Sequence, residues 1–93
     1  MPRAQARHIL VDTKEKAEEL KQQIQDGADF AELARKHSTC GSARKGGDLG
    51  EFGRGQMVKE FEEVVFRDAL HTVHGPVKTQ FGFHLIEITS RTD

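Results

Sequence analysis

The sequence is poor in the residues that fix covalent, metal-bound or membrane-embedded structure. It contains one cysteine, so no intramolecular disulfide can form. No second cysteine or carboxylate cluster accompanies His71 and His74, so we expect no metal site. There is no apolar run of membrane-spanning length, and the N-terminus, Met1–Gln5, shows no apolar region of the kind that a signal peptide has. We therefore expect a protein of a reducing compartment, the cytoplasm, that has no membrane partner, provided that no leader was removed.

The sequence also lacks an excess of charge of either sign. The formal net charge is −1, and basic and acidic residues are interspersed without a basic stripe. Such a surface lacks the continuous basic patch that binds nucleic-acid phosphates, so no nucleic-acid partner is expected. The glycines match neither a P-loop nor a dinucleotide-binding fingerprint, and we expect no cofactor.

Glycine, in contrast, is concentrated in one segment. Arg44–Met57 holds five of the nine glycines around only three large apolar side chains, those of Leu49, Phe52 and Met57. Glycines in such density indicate backbone with positive φ, a bulge or a close approach to a ligand. The segment therefore predicts an apolar wall on a backbone of special shape.

The hydrophobic periodicity predicts one α+β domain over residues 1–93 with the order β-α-α-β-α-β-β. Strands are predicted at Ala4–Val11, Asp48–Phe52, Gly75–Thr79 and Phe83–Thr89, and helices after Asp12, after Asp29 and over Val58–Phe66. Asp12 and Glu15 have capping-box spacing, with Thr13 as the rival N-cap. Residues 38–47 read as a long loop of small side chains. Pro76 lacks an amide donor and is expected to start its strand or lie at a sheet edge.

Two histidines and the cysteine stand out as polar residues in apolar surroundings. His8 alternates with Ala4, Ala6 and Leu10, and His84 alternates with aliphatic residues of the last strand. A histidine in such a pattern is ordinarily a satisfied core residue. If the first and last strands are adjacent, however, the two imidazoles can hydrogen-bond and hold a neutral polar pair in an apolar cleft. Cys40 is either an inert small apolar residue or a polar group exposed in its loop.

Six segments together resemble the signatures of the parvulin family of peptidyl-prolyl cis/trans isomerases, in order and in spacing. They are His8–Val11, Gly27–Ala34, His37–Cys40, Gly46–Phe52, Gly55–Phe61 and Phe81–Ile86. Each is weak alone, but the set covers almost the whole chain. The resemblance implies a four-stranded antiparallel sheet surrounded by helices, a shallow proline-binding cleft, and a monomer that binds proline-containing peptides and flexible protein segments.

The resemblance also implies roles for individual residues. A polar network beside the rotating bond would consist of His8, Cys40, Thr79 and His84, and substrate contacts would come from Leu49, Phe52, Met57, Phe61 and Phe81. The alternative is that these residues have purely structural roles: Met57 and Phe61 would be ordinary core residues of a helix, and Thr79 would be an ordinary strand-end hydroxyl. The connection after the first strand, Asp12–Glu15, is short and mixed in charge. We therefore expect no requirement for a phosphate before proline, since phosphate-directed parvulins carry a basic cluster there.

Two functions of other classes remain open on the sequence. A cysteine-dependent hydrolase would use Cys40 with a histidine, although no local motif supplies an oxyanion hole or a general base. A non-catalytic peptide-binding or chaperone module would keep the same apolar cleft, and it is the stronger alternative.

Overall fold

The computed structural model describes residues 2–92 and has the predicted element order. The strands are β1 (Arg3–Val11), β2 (Asp48–Gly53), β3 (Val73–Thr79) and β4 (Gly82–Thr92). The α-helices are α1 (Lys14–Gln25), α2 (Phe30–His37) and α3 (Lys59–Val65). No helix within residues 2–92 is long and apolar enough to cross a membrane.

The strands form one antiparallel sheet in the order β2-β1-β4-β3, which confirms the expected four-stranded architecture. The first and last strands of the chain are the two central strands. His8 lies opposite Ile86 and Leu10 lies opposite His84, so His8 and His84 are diagonal neighbours on one face of the sheet. Pro76 lies in the edge strand β3, where its missing amide breaks no ladder between two neighbours.

Each face of the sheet carries its own hydrophobic layer. Ile9, Val11 and Leu85 point to one face and pack against α1 and α2. The small residues Ala4 and Ala6 point to the other face, where α3 packs. Since side chains alternate along a strand, β1 buries both of its faces from His8 to Val11. The histidines therefore lie in the layer that α3 covers.

The structure differs from the sequence-based predictions at three places. Thr13, and not Asp12, caps α1: its side chain accepts a hydrogen bond from the Lys16 amide at 3.1 Å. The predicted loop contains a 3₁₀ helix over Gly41–Lys45. The strands β3 and β4 are longer than predicted, since pairing with a neighbouring strand orders residues without strong alternation.

The glycine-rich segment packs directly onto the first strand. The His8 amide donates to the Gly47 carbonyl at 2.9 Å, and Gly47 has φ +87°. A Cβ at this position would collide with the carbonyl oxygen of His8. Glycine is therefore needed here for close approach, as the glycine cluster indicated, and it brings the 3₁₀ helix beside the histidine pair.

Candidate active site

The two sequence-predicted histidines lie side by side on the central strands. Their Nδ1 atoms are 3.0 Å apart, and their ring planes are within 17° of parallel. Both residues are buried, each with 4% of its surface exposed. A hydrogen bond between these atoms requires one protonated and one unprotonated nitrogen, so the contact fixes complementary tautomers in the two rings.

Hydroxyl groups occupy the outer nitrogens of both rings. His8 Nε2 lies 3.1 Å from Ser42 Oγ, and His84 Nε2 lies 2.7 Å from Thr79 Oγ1. This series of hydrogen bonds continues into the hairpin between β3 and β4, where the Phe81 amide donates to Thr79 Oγ1 at 3.1 Å. When both rings are neutral, each has one donor and one acceptor nitrogen, so every hydrogen bond of the series can form. The donors then all point either from Thr79 toward Ser42 or in the reverse direction.

Burial keeps the pair neutral near pH 7. Desolvation by burial, together with the repulsion of a charge on His84, lowers the pKa of His8 from its ordinary 6.5 to about 4. Desolvation also lowers the pKa of His84. Two protonated rings would place a proton on each of two nitrogens 3.0 Å apart. The site is therefore a polar, uncharged network in apolar surroundings.

An open, strongly apolar cleft of about 500 Å³ borders this network. It is lined by His8, Leu10, Cys40, Leu49, Gln56, Met57, Val58, Phe61, Phe81 and His84. The Phe61 ring meets both imidazoles nearly at right angles, with centroids 5.5 Å from His8 and 5.6 Å from His84. A small apolar ring bound against Phe61 would therefore lie beside the histidine pair.

The structure brings together most of the sequence-predicted residues, and Phe52 is the exception. Seven of them line the cleft: His8, Cys40, Leu49, Met57, Phe61, Phe81 and His84. Thr79 is buried behind His84 and bonds to it. Phe52 lies outside the cleft lining; its ring is buried with its centroid 6.3 Å from that of Phe61, and so it supports the pocket from behind.

Sequence reasoning missed several members of the site. Ser42 lies among other small residues of a loop, and only its contact with His8 distinguishes it. Leu10 and Val58 read as members of apolar faces, and Gln56 had no role of its own within the segment Gly55–Phe61, yet all three line the cleft. Asp48 fixes the glycine turn beside the cleft, because its Oδ1 accepts from the Gly50 amide at 2.8 Å.

Cys40 lines the cleft without an available base. Both ring nitrogens of His8 are engaged, by His84 and Ser42, and both of His84 are engaged, by His8 and Thr79. A thiol is activated by an imidazole that accepts its proton. The geometry therefore favours an uncharged site without covalent chemistry over a cysteine hydrolase.

Residues 2–92 match the family model of the PPIC-type PPIase domain. The chain belongs to this family. The match confirms the resemblance to the parvulins. A "Foldase protein PrsA" of Exiguobacterium sibiricum is 48% identical over 90 residues, which cover 95% of this chain and 30% of that protein.

Solved structures of isomerases have the same fold. The peptidylprolyl isomerase PrsA of Bacillus anthracis superposes with a TM-score of 0.95 at 39% identity, over 99% of this chain and 43% of that one. NmPin, the parvulin of Nitrosopumilus maritimus, superposes with a TM-score of 0.86 at 35% identity, over 97% of this chain and 98% of that one. The chain spans about a third of the length of the curated PrsA relatives that it matches.

Proposed function

We propose that the chain isomerises X-Pro bonds of peptides and flexible protein segments without covalent catalysis and without a phosphate requirement. The observation that carries the proposal is an apolar cleft of about 500 Å³, large enough for a proline ring and its neighbours, in contact with a neutral, hydrogen-bonded histidine pair. Rotation about an X-Pro bond makes and breaks no covalent bond, so such a site needs no nucleophile.

The physical chemistry of the rotation fits this environment. Amide resonance makes the planar ground state polar, and twisting the bond removes that resonance and returns the lone pair to nitrogen. A dry apolar cleft solvates the planar form poorly, whereas a donor near the prolyl nitrogen favours the twisted form. A thousandfold acceleration requires about 4 kcal/mol of such differential stabilisation.

In this proposal the cleft residues divide into two groups. Leu49, Met57 and Phe61 hold the pyrrolidine ring, and Phe81, which is 59% exposed at the hairpin tip, contacts the flanking peptide. The polar group consists of His8, Cys40 and His84 beside the rotating bond, with Thr79 holding His84 from behind. The histidines keep this wall neutral and fixed in shape.

The connection between β1 and α1 supports independence from phosphate. It consists of Asp12 and Thr13 alone, and Thr13 is occupied as the helix cap. No arginine or lysine is available in this connection to pair with a phosphate before proline.

A protease-coupled assay on a proline-containing tetrapeptide tests the proposal. We expect acceleration of cis-to-trans conversion, and equal or lower kcat/KM when phosphoserine replaces the residue before proline. Absence of acceleration by the folded chain would contradict isomerase activity, and a gain of tenfold or more with phosphoserine would contradict phosphate independence (order of magnitude by the usual free-energy conversion).

A peptide-binding or chaperone module is the second candidate. The exposed Phe81 beside an apolar cleft favours it, because contiguous apolar surface of this kind binds extended chains. Binding of the tetrapeptide without acceleration, measured in the same samples, would select this alternative.

We further propose that residues 1–93 act as one monomeric domain in the cytoplasm. The compartment rests on the single cysteine, which cannot form an internal disulfide. Light scattering of the purified chain tests the monomer, and fractionation of the source cells tests the compartment.

A further inference from the structure

One carboxylate holds the loop that supplies part of the cleft wall. The loop joins β2 to α3 and contributes Gln56, Met57 and Val58 to the lining. Glu62 of α3 reaches back to it: its Oε1 accepts from the Gly55 amide at 2.5 Å, and its Oε2 lies 3.6 Å from Arg54 Nη1. The Glu62 side chain is 20% exposed, whereas both groups that it contacts lie in an exposed turn.

The amide contact is the stronger of the two. Hydrogen bonds from an amide to an ionised carboxylate are shorter and stronger than those between neutral groups. The Arg54 side chain is 56% exposed, and ion pairs in that setting contribute little by themselves. Arg54 is nevertheless fixed, because its guanidinium also lies 4.7 Å from the centre of the Phe66 ring.

The loop needs such a tether because its backbone is intrinsically loose. Gly55 has φ +87° and follows Gly53 by only two residues, and glycine leaves many backbone conformations open. One internal bond, from the Gly53 amide to Gln56 Oε1 at 2.6 Å, closes the turn on itself without tying it to the helix. Glu62 makes that connection to α3, which also carries Phe61.

We infer that Glu62 is a positioning residue, which holds residues 54–57 so that Met57 and Phe61 line the same proline pocket. The inference rests on the proposed isomerase function of the cleft. The prolyl ring occupies this pocket in the planar and in the twisted state. Loss of the tether therefore weakens binding of both states alike, which raises KM and leaves kcat unchanged.

The experiment measures kcat and KM of the full chain by NMR exchange on a proline-containing tetrapeptide. We expect Glu62→Ala to raise KM about fivefold to tenfold, with kcat within about twofold of that of the unmodified chain. Glu62→Gln keeps an acceptor oxygen, so its KM should lie between those of the unmodified chain and of Glu62→Ala. Glu63→Ala is the matched control, because Glu63 is the next residue of the same helix and is exposed. It should behave as the unmodified chain.

Amide hydrogen exchange supplies a readout that is independent of activity. The Gly55 amide should exchange faster in Glu62→Ala, whereas the Gly50 amide, which donates to Asp48 at 2.8 Å, should not change. Should Glu62→Ala fail to fold, Glu62→Gln undergoes the same two measurements with a smaller expected effect.

The outcomes separate this inference from the proposed function. An inactive unmodified chain overturns the isomerase proposal, and the tetrapeptide dissociation constant then replaces KM in testing the tether. In an active chain, unchanged Gly55 exchange overturns the contact. Faster Gly55 exchange with unchanged KM, or a fall in kcat at constant KM, overturns the positioning role.

Discussion

Among single residues, Phe61 connects the apolar and polar halves of the site. Its ring is 2% exposed, lines the cleft and touches both imidazoles edge-on. An aromatic ring in that position contributes packing to the sheet, and in the proposed function it also contributes contact area to a bound proline.

Replacing Phe61 by alanine tests this position. Full burial of such a ring contributes about 1.5–3 kcal/mol, so we expect Phe61→Ala to lose about tenfold to a hundredfold in kcat/KM. Leu33→Ala, in the opposite core layer, should lower stability and leave kcat/KM of the folded protein unchanged. Near-normal isomerisation by a folded Phe61→Ala protein would place the site elsewhere.

Cys40 makes a second prediction at this scale. Because both ring nitrogens of His8 and of His84 are engaged, we expect Cys40→Ser to retain measurable activity. Mass spectrometry of the unmodified enzyme during turnover should detect no covalent adduct with a tetrapeptide. A cysteine-linked species that forms and decays at the catalytic rate would refute the non-covalent mechanism.

Among the secondary-structure elements, the β3–β4 hairpin connects the histidine network to the outer part of the cleft. The strands are joined by Gln80 and Phe81, and Thr79 Oγ1 contacts both the Phe81 amide and His84. One hydroxyl therefore fixes the hairpin tip and the end of the histidine network together.

Thr79→Val removes this hydroxyl at nearly constant shape. It leaves a buried imidazole nitrogen and the Phe81 amide unpaired, which should lower the free energy of unfolding by about 1–3 kcal/mol. Thr79→Ser restores the hydroxyl and should recover most of the loss in urea denaturation. A loss of stability in Thr79→Ser with none in Thr79→Val would show that packing of the methyl group matters and the hydrogen bonds do not.

Across the whole molecule, the sheet separates two hydrophobic layers, and the histidine pair is buried in the one covered by α3. The stability of the entire fold is therefore linked to the protonation of this pair. The folded protein binds the His8 proton with a pKa of about 4, whereas the unfolded chain binds it near 6.5.

This difference predicts a loss of stability in mild acid. Between pH 6.5 and about 4 the unfolded chain holds more protons than the folded one, so the free energy of unfolding falls as pH falls through that window. His8 alone accounts for about 3 kcal/mol at full effect, and His84 adds to it in the same direction. Urea denaturation at several pH values measures the slope.

Two variants identify the source of the slope. His8→Gln should flatten it, whereas His71→Asn should not, because His71 is exposed and lies outside the network. An unchanged slope in His8→Gln would show that other groups cause the acid sensitivity.

The sequence by itself determined the family, the element order and most of the site, for physical reasons that are local. The spacing of His8 and of His84 among aliphatic residues put each on the apolar face of a strand, and Asp29 caps α2, the helix predicted to begin after it. The glycine cluster marked backbone of special shape, and Gly47 shows why.

Only the tertiary structure decided which of these residues touch. The adjacency of β1 and β4 turned two separate histidines into a pair, and the 3₁₀ helix supplied Ser42 as a partner. The burial of Phe52 behind Phe61 and the reach of Glu62 to Gly55 likewise left no mark in the sequence. Periodicity reports which side chains leave water, whereas contacts between distant segments depend on strand order and on how the loops fold back.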